Sequence, residues 1–375
     1  MKSLKDKNII QISAYYPPHI GGMESYVRNL SEKLAEKKYK VKVITSDVGA
    51  TEKALQKENL EVTYLPSVEV LNTPVIPTLR STLEETPANS IFHLHVAQAV
   101  LPEIAALVAK KKKLPLVSHI HLDVGNSTGI GKIILPFYKY FFLRKVLQQS
   151  EKVIVQTEDY KKLIHQKYKV PLEKIVTIPN GIDLLPVKES RYENLRGSFK
   201  ILFVGRLVNQ KRPDLFIQTM AELKHRGHKI ESFIVGSGPE EQKLRELATQ
   251  LRIDDVIQFR GSLGKEDVQK LYDESDCLVQ TSERESFSTV LLEALNAGCP
   301  IVATNIAGTR NILTHGQDAL LTSDDQKDIA DKVSSLITNQ QLRKNLIRNG
   351  YKTVTQYSWS SAITQIESIY ANLCK

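Results

Sequence analysis

Ten short runs rich in isoleucine and valine recur along the chain, separated by stretches whose apolar residues fall at helical spacing. This alternation constrains the fold more than any other feature. The runs cover residues 8–13, 41–46, 91–95, 116–119 and 152–156, then 200–205, 229–236, 256–260, 276–281 and 300–304. They do not alternate cleanly between apolar and polar residues, as expected of strands covered on both faces in a parallel sheet. Between them, Val27, Leu30 and Leu34 in one stretch and Leu215, Met220 and Leu223 in another mark helix faces among charged residues. Strand and helix alternating from end to end predicts an α/β protein with doubly wound sheets.

The alternation stops between Ile182 and Ser198, where Pro186, mixed charges and Gly197 form a polar stretch, and restarts with the run at residues 200–205. The 375 residues are therefore read as two domains, 1–183 and 198–357, joined by a linker at 184–197. Two such domains in succession imply a cleft, and ligands of doubly wound sheets sit outside the carboxyl ends of the strands. A hydrophobic content of 41% with 25% charged residues excludes a disordered chain and a polytopic membrane protein. Cys277, Cys299 and Cys374 form no Cys-x-x-Cys pair and lack zinc spacing, which argues for a reducing compartment without disulfides or structural zinc. Residues 1–7 carry no apolar leader, so a cytoplasmic location is expected. The formal charge of +9 is uneven: residues 1–185 hold 26 Lys and Arg against 18 Asp and Glu, the remainder 25 against 24. That imbalance suits an anionic partner of the first half, or else an indifferent lysine-rich surface.

Three segments carry candidate chemistry. After the first run, Tyr16-Pro17-Pro18-His19-Ile20-Gly21-Gly22 leads into a helical pattern, and paired glycines at a helix start let backbone amides approach an anion. The segment lacks the Gly-x-Gly-x-x-Gly of a dinucleotide site and the Gly-Lys-Ser/Thr of a P-loop. After the run at 200–205, Arg206 and Lys211 stand at a carboxyl edge and suit a diphosphate clamp, the alternative being a solvated loop. Glu285-Ser286-Phe287-Ser288-Thr289 precedes an apolar helical pattern that contains Glu293. With the helix starting near Ser288, Glu293 is expected about two turns in, both carboxylates facing one ligand and the amides of Phe287 to Thr289 attracting an anion. An acid in so apolar a helix needs a partner, and a ribose diol suits it.

The run from Glu285 to Glu293 resembles the Glu-x7-Glu motif of family four glycosyltransferases, retaining enzymes of the GT-B fold with two Rossmann-like domains facing a cleft. Residues 16–22, Pro179-Asn180-Gly181-Ile182-Asp183, Gly205-Arg206 with Lys211, and Val235-Gly236-Ser237-Gly238-Pro239 agree in order and spacing, so the resemblance spans nearly the whole chain. It implies a metal-independent hexosyltransferase with no cofactor, using a nucleotide-sugar donor, a UDP-sugar by preference. Gly21 and Gly22 would meet the donor diphosphate. Arg206 and Lys211 would neutralise charge on the leaving group, Glu285 would hold the donor sugar, and Glu293 the ribose hydroxyls. Ser286, Phe287, Ser288 and Thr289 would line the donor site. His121, beside Asp123 after a first-half strand, matches the family's histidine on the donor sugar. Retention implies front-side replacement, with the leaving phosphate helping to deprotonate the acceptor. The resemblance also implies that residues 358–375 form a helix crossing back onto the first domain. The chain departs from the family's usual Glu-Gly-Phe-Gly at residues 285–288, and has Asn311 where a carboxylate is usual.

The acceptor is expected on the first domain, in cell-surface glycan or glycolipid synthesis. Residues 130–147 interleave aromatics with Lys132, Lys139, Arg144 and Lys145, and Lys110 to Lys113 add charge to the same half. The stretch is too short to span a bilayer and suits an interfacial helix on an anionic membrane, or else Phe137, Phe141 and Phe142 are core. No nucleic-acid motif is present. The alternatives are the same chemistry on a soluble aminocyclitol or other metabolite, an inverting transferase of the same architecture, and a non-catalytic sugar-nucleotide scaffold.

Overall fold

The computed structural model describes residues 4–19, 21–50, 54–70, 73–96, 99–121, 138–188, 197–285 and 287–374. The chain forms two compact units, one of Met1–Asn180 with Ser360–Lys375 and the other of Gly181–Trp359.

Unit 1 contains β1 (Asn8–Ile12), β2 (Lys40–Ser46), β3 (Ala54–Lys57), β4 (Leu60–Leu65), β5 (Val68–Val70), β6 (Thr73–Val75), β7 (Ser90–Val96), β8 (Leu116–Ile120), β9 (Lys152–Val155) and β10 (Ile175–Thr177). Eight of them form one sheet in the order β10-β9-β8-β7-β1-β2-β4-β3, parallel throughout except for the antiparallel β3–β4 edge. β5 and β6 make a separate antiparallel ribbon. The chain leaves β1 toward one edge through β2 and returns to β7 on the other side, so the topological switch lies between β1 and β7. All seven residues of β7 are buried, as in a strand covered on both faces, although Ser90, His93 and His95 are polar.

Unit 2 contains β11 (Phe199–Val204), β12 (Ile230–Val235), β13 (Ile257–Gly261), β14 (Cys277–Gln280), β15 (Ile301–Thr304) and β16 (Leu320–Thr322). They form a wholly parallel sheet in the order β13-β12-β11-β14-β15-β16, the doubly wound order with its switch between β11 and β14. Its two faces are closed by separate cores, Leu215, Phe216 and Ile217 lying in one and Leu291, Leu292 and Leu295 in the other. Each of the ten apolar runs contains a strand.

The chain passes between the units twice, and the two passages are tied together. The Ile182 amide donates to the Tyr357 carbonyl (2.7 Å), and the Trp359 amide to the Ile182 carbonyl (3.1 Å). A Cβ added at Gly181 would lie 2.5 Å from the Trp359 indole, so this position is glycine because the ring packs on its backbone. The last helix, Trp359–Asn372, belongs to unit 1 from Ser360 onward. Ile363, Ile366, Ile369 and Tyr370 are all buried, and each such side chain contributes on the order of 1.5–3 kcal/mol. The exposed Lys37–Glu367 ion pair (2.6 Å) adds about 0–1 kcal/mol, so apolar packing holds this helix.

Candidate functional site

The loops that leave β11 and β14 at the switch point of unit 2 bring Arg206, Lys211 and Glu285 to one carboxyl edge, where ligands of such sheets bind. Hydrogen bonds join the loops: the Glu283 amide donates to the Gln210 carbonyl and the Gln210 side chain to the Arg284 carbonyl, both at 2.9 Å. The Thr281 hydroxyl reaches the carbonyls of Lys211 (3.0 Å) and Arg212 (2.7 Å). Arg212 needs this anchoring, because its φ of 49° lies in the left-handed region that favours glycine. The β12 loop buttresses the β11 loop. A side chain at Gly236 would collide with the Gly205 carbonyl, and Gly236 sits at φ 131°, so only glycine fits.

Within this frame three donors converge on one oxygen of Glu285. Lys211 Nζ pairs with Oε1, the Ser282 hydroxyl donates to it at 2.9 Å and Gln280 Nε2 at 3.4 Å. The Gln280 amide oxygen in turn accepts from the Ser288 hydroxyl at 3.2 Å. Among the described residues, Glu285 Oε2 has no partner, and neither does the exposed Arg206 guanidinium. The site thus offers a fixed acceptor after β14 and an exposed cation after β11, two neighbouring strands of the same sheet. The carbonyl of Glu285 packs so tightly on Gly308 that a Cβ there would overlap it.

Glu293 lies in the helix Thr289–Asn296, capped by Ser288 in an extended conformation. Its Oε2 accepts from the Tyr272 hydroxyl at 3.0 Å. Burial pushes the Glu293 carboxyl above the ordinary carboxylate range, and the Tyr272 bond works in the opposite direction.

In unit 1, Gly21 stands at the N-cap of the helix Gly22–Glu36, whose first amides have no intrahelical acceptor. The Glu24 carboxylate folds over Gly21 so closely that a Cβ there would overlap it, and the same carboxylate pairs with His19 Nδ1 at 2.9 Å. A Cβ at Gly22 would meet nothing within 4 Å, so packing does not dictate glycine there. Deeper in the sheet, His93, His95, His119 and His121 form a buried layer of rings. His93 stacks on His95 at 4.7 Å and His119 on His121 at 4.3 Å, with Tyr26 edge-on to His119 and His121. His95 Nδ1 and His121 Nε2 are 2.9 Å apart, and Gln156 Nε2 reaches His121 Nδ1 at 3.3 Å. Burial pushes the His121 imidazole down to about 3, so the ring is neutral at physiological pH.

A family model described as Glycosyltransferase Family 4 matches residues 20–184, and one described as Glycosyl transferases group 1 matches residues 188–353. This chain is a glycosyltransferase of the family 4 and group 1 type. It is 25% identical over 391 residues to the D-inositol 3-phosphate glycosyltransferase of Pseudarthrobacter chlorophenolicus, covering 94% of this chain and 90% of that one. It is 24% identical over 358 residues to the 2-deoxystreptamine N-acetyl-D-glucosaminyltransferase of Niallia circulans, covering 87% and 91%. Anabaena HepE in complex with UDP superimposes with a TM-score of 0.79 at 17% identity, over 98% of this chain and 100% of that one. The transferase has the GT-B fold.

Several expectations for the transferase change on the structure. The helix begins at Thr289, beside Ser288 as expected, with Glu285 outside it, but Glu293 is about one turn into it rather than two. The Phe287 side chain packs in the core, 5.9 Å from Tyr357, which leaves its backbone to the site. Thr289 is exposed at the helix start, while Ser288 is buried against Gln280. Ser286, Asp123, Lys132 and Phe137 lie outside the described residues. Phe141 and Phe142 are exposed, at 49% and 56%, which removes the reading of both as core. The sequence reading passed over Gln280, Ser282 and the histidines other than His121. Two His-x-His pairs in neighbouring strands were the available signal, since alternate strand residues share a face. Ligand atoms of His93, His95 and His119 lie within 4.8 Å of one another. Their rings are near-parallel, at 15° to 33°, so the in-plane lone pairs do not converge on one ion. Among the described residues no helix is long and apolar enough to cross a membrane.

Proposed function

We propose that this transferase moves a hexose from UDP to an acceptor with retention of configuration and without a metal ion. The observation that carries the reading is that the loops after β11 and β14, at the switch point of unit 2, present an exposed Arg206 and a Glu285 whose Oε2 has no partner among the described residues. Glu285 accepts from hydroxyls of the donor sugar, and its loaded Oε1 fixes which oxygen does so. Arg206 and Lys211 neutralise the charge that grows on the diphosphate as the anomeric carbon–oxygen bond breaks. The amides of residues 287–289 and of Gly22 lie at helix starts, where a diphosphate is favoured. His121, neutral, contacts the donor sugar, and Glu293 holds the ribose hydroxyls. The acceptor oxygen bonds to the anomeric carbon on the face the diphosphate leaves, and its proton passes to a phosphate oxygen.

A melting-temperature screen with UDP, GDP and ADP in EDTA tests this. UDP at about a hundred times its Kd adds roughly 2.7 kcal/mol of stability, an effect lost in Arg206→Ala. A shift that requires a divalent ion, or a product with inverted anomeric configuration, overturns the assignment.

The acceptor is proposed to be a glycan or lipid-linked sugar at an anionic membrane face. Tyr140, Phe141 and Phe142 are exposed, and the Arg144 guanidinium lies 5.4 Å from the Tyr140 ring centre, the mixture of aromatic and basic groups that seats at a lipid interface. The names of the two relatives favour a second reading, a soluble cyclitol acceptor. Sedimentation with anionic vesicles at low salt decides between them: co-pelleting that is lost in Phe141→Ser/Phe142→Ser supports the membrane, and a protein left in the supernatant supports the cyclitol.

A further inference from the structure

Gln11, His93, His95 and His119 stand on one face of the unit 1 sheet, Gln11 in register with His93 across β1–β7 and His95 with His119 across β7–β8. The last helix lays Tyr370 against this face, where its hydroxyl meets His93 Nδ1 and lies 3.4 Å from Gln11 Nε2. These contacts run in one direction. A phenol has a single proton; given to His93, it leaves the Tyr370 oxygen to accept from the Gln11 amide nitrogen. The Gln11 amide oxygen therefore faces His95 and accepts its Nε2–H at 2.6 Å. His95 Nδ1 is then a lone pair, which takes the Nε2–H of His121 at 2.9 Å. The remaining His121 nitrogen accepts from Gln156, whose amide nitrogen also reaches Asn180 at 3.3 Å. The whole chain is neutral and every step has a donor and an acceptor.

We propose that His95 is a positioning residue that fixes His121 as its Nε2–H tautomer and sets its ring plane, with Gln11 and Tyr370 of the last helix holding His95 in turn. This rests on the reading of His121 as a residue on the donor sugar. Both nitrogens of His121 are committed to protein groups, so the ring steers the sugar through its edge and its backbone and takes no proton from the acceptor. Tyr370 is 359 residues from Gln11, so the last helix is part of the sugar site's support as well as of the unit 1 core.

Selective ¹⁵N-histidine labelling tests this in the full-length protein. The wild-type His121 signal is expected as the Nε2–H tautomer and unchanged between pH 6 and 8. In His95→Phe the acceptor of that proton is gone. The Nδ1–H form then appears, and kcat falls by roughly 10- to 100-fold while the UDP-induced melting shift is retained. Tyr370→Phe keeps the ring packing and drops only the hydroxyl; it is expected to mix the tautomers of His95 and His121 and to lower kcat less. If His95→Phe does not fold, Tyr370→Phe decides by the same two readouts. A single unchanged His121 tautomer in the folded variant, or an unchanged kcat, overturns the proposal. A wild-type protein that transfers no sugar while His121 still follows His95 overturns the functional reading and leaves the positioning intact.

Discussion

Replacing Lys211 with alanine is expected to lower kcat/KM for sugar transfer by about 10²–10³-fold, the scale seen when one preorganised charge or donor is taken from a developing anion. Two tasks are proposed for the Lys211 ammonium. Its ammonium pairs with Glu285 Oε1, and it stands on the same edge as Arg206, where the diphosphate is proposed to leave. Removing it takes a positive charge from the leaving group and also leaves Glu285 with only the Ser282 hydroxyl and the Gln280 amide. That half-buried carboxylate then lacks its cation, so the single variant loses stability as well as rate. A double variant, Lys211→Met with Glu285→Gln, separates the two effects. Neutralising both partners removes the unpaired charge and restores the melting temperature toward that of the parent, whereas transfer stays low because neither the phosphate clamp nor the sugar acceptor is regained. Steady-state kinetics with thermal melts on the two proteins make the comparison. A Lys211→Ala enzyme within threefold of the parent in kcat/KM would remove Lys211 from the machinery.

The legibility of this site in the sequence depended on distance along the backbone. Arg206 and Lys211 follow an apolar run directly, and Glu285 follows another, so a parallel alternating fold had to deliver all three to a carboxyl edge. The helix starts beside Ser288 as expected, and the miscount was in its length, since Glu293 lies four residues past Thr289, about one turn rather than two. Strand β4 was overlooked because Leu60–Leu65 alternates buried and half-covered residues, the mark of a position near a sheet edge rather than of a doubly covered strand. The support under His121 was the least visible part. It joins Gln11, His95 and Tyr370 from a first strand, a fourth parallel strand and the last helix, and no local pattern connects positions that far apart. What did lie in the sequence was the repeated His-x-His, which a strand of period two must turn to one side.

Glu293→Gln should make the ligand-free protein more heat-stable while weakening its hold on UDP. Burial holds the Glu293 carboxyl above the usual carboxylate range, so the folded protein binds that proton more tightly than the unfolded chain does. Its contribution to stability is therefore complete below the unfolded carboxyl range and is lost as pH rises through the folded one. Glutamine stays neutral at every pH, and its amide oxygen still accepts from Tyr272. The variant and the parent are expected to melt together at acid pH, and the variant is expected to melt a few degrees higher at neutral pH, the gap opening as the wild-type carboxyl ionises. The ligand reverses the order. A carboxylate that accepts from both hydroxyls of a ribose makes charge-assisted bonds, each worth about 1.5–3 kcal/mol, and an amide presents one acceptor and an opposing donor. UDP affinity is expected to fall by about 10- to 100-fold, and the UDP-induced melting shift to shrink with it. Melts of both proteins across pH, with and without UDP, measure the two effects together. A variant no more stable than the parent at neutral pH would mean that the Tyr272 bond already offsets the burial, and unchanged UDP affinity would take Glu293 out of the nucleotide site. If both effects appear, the carboxylate is kept at a cost in stability for the sake of the ligand it holds.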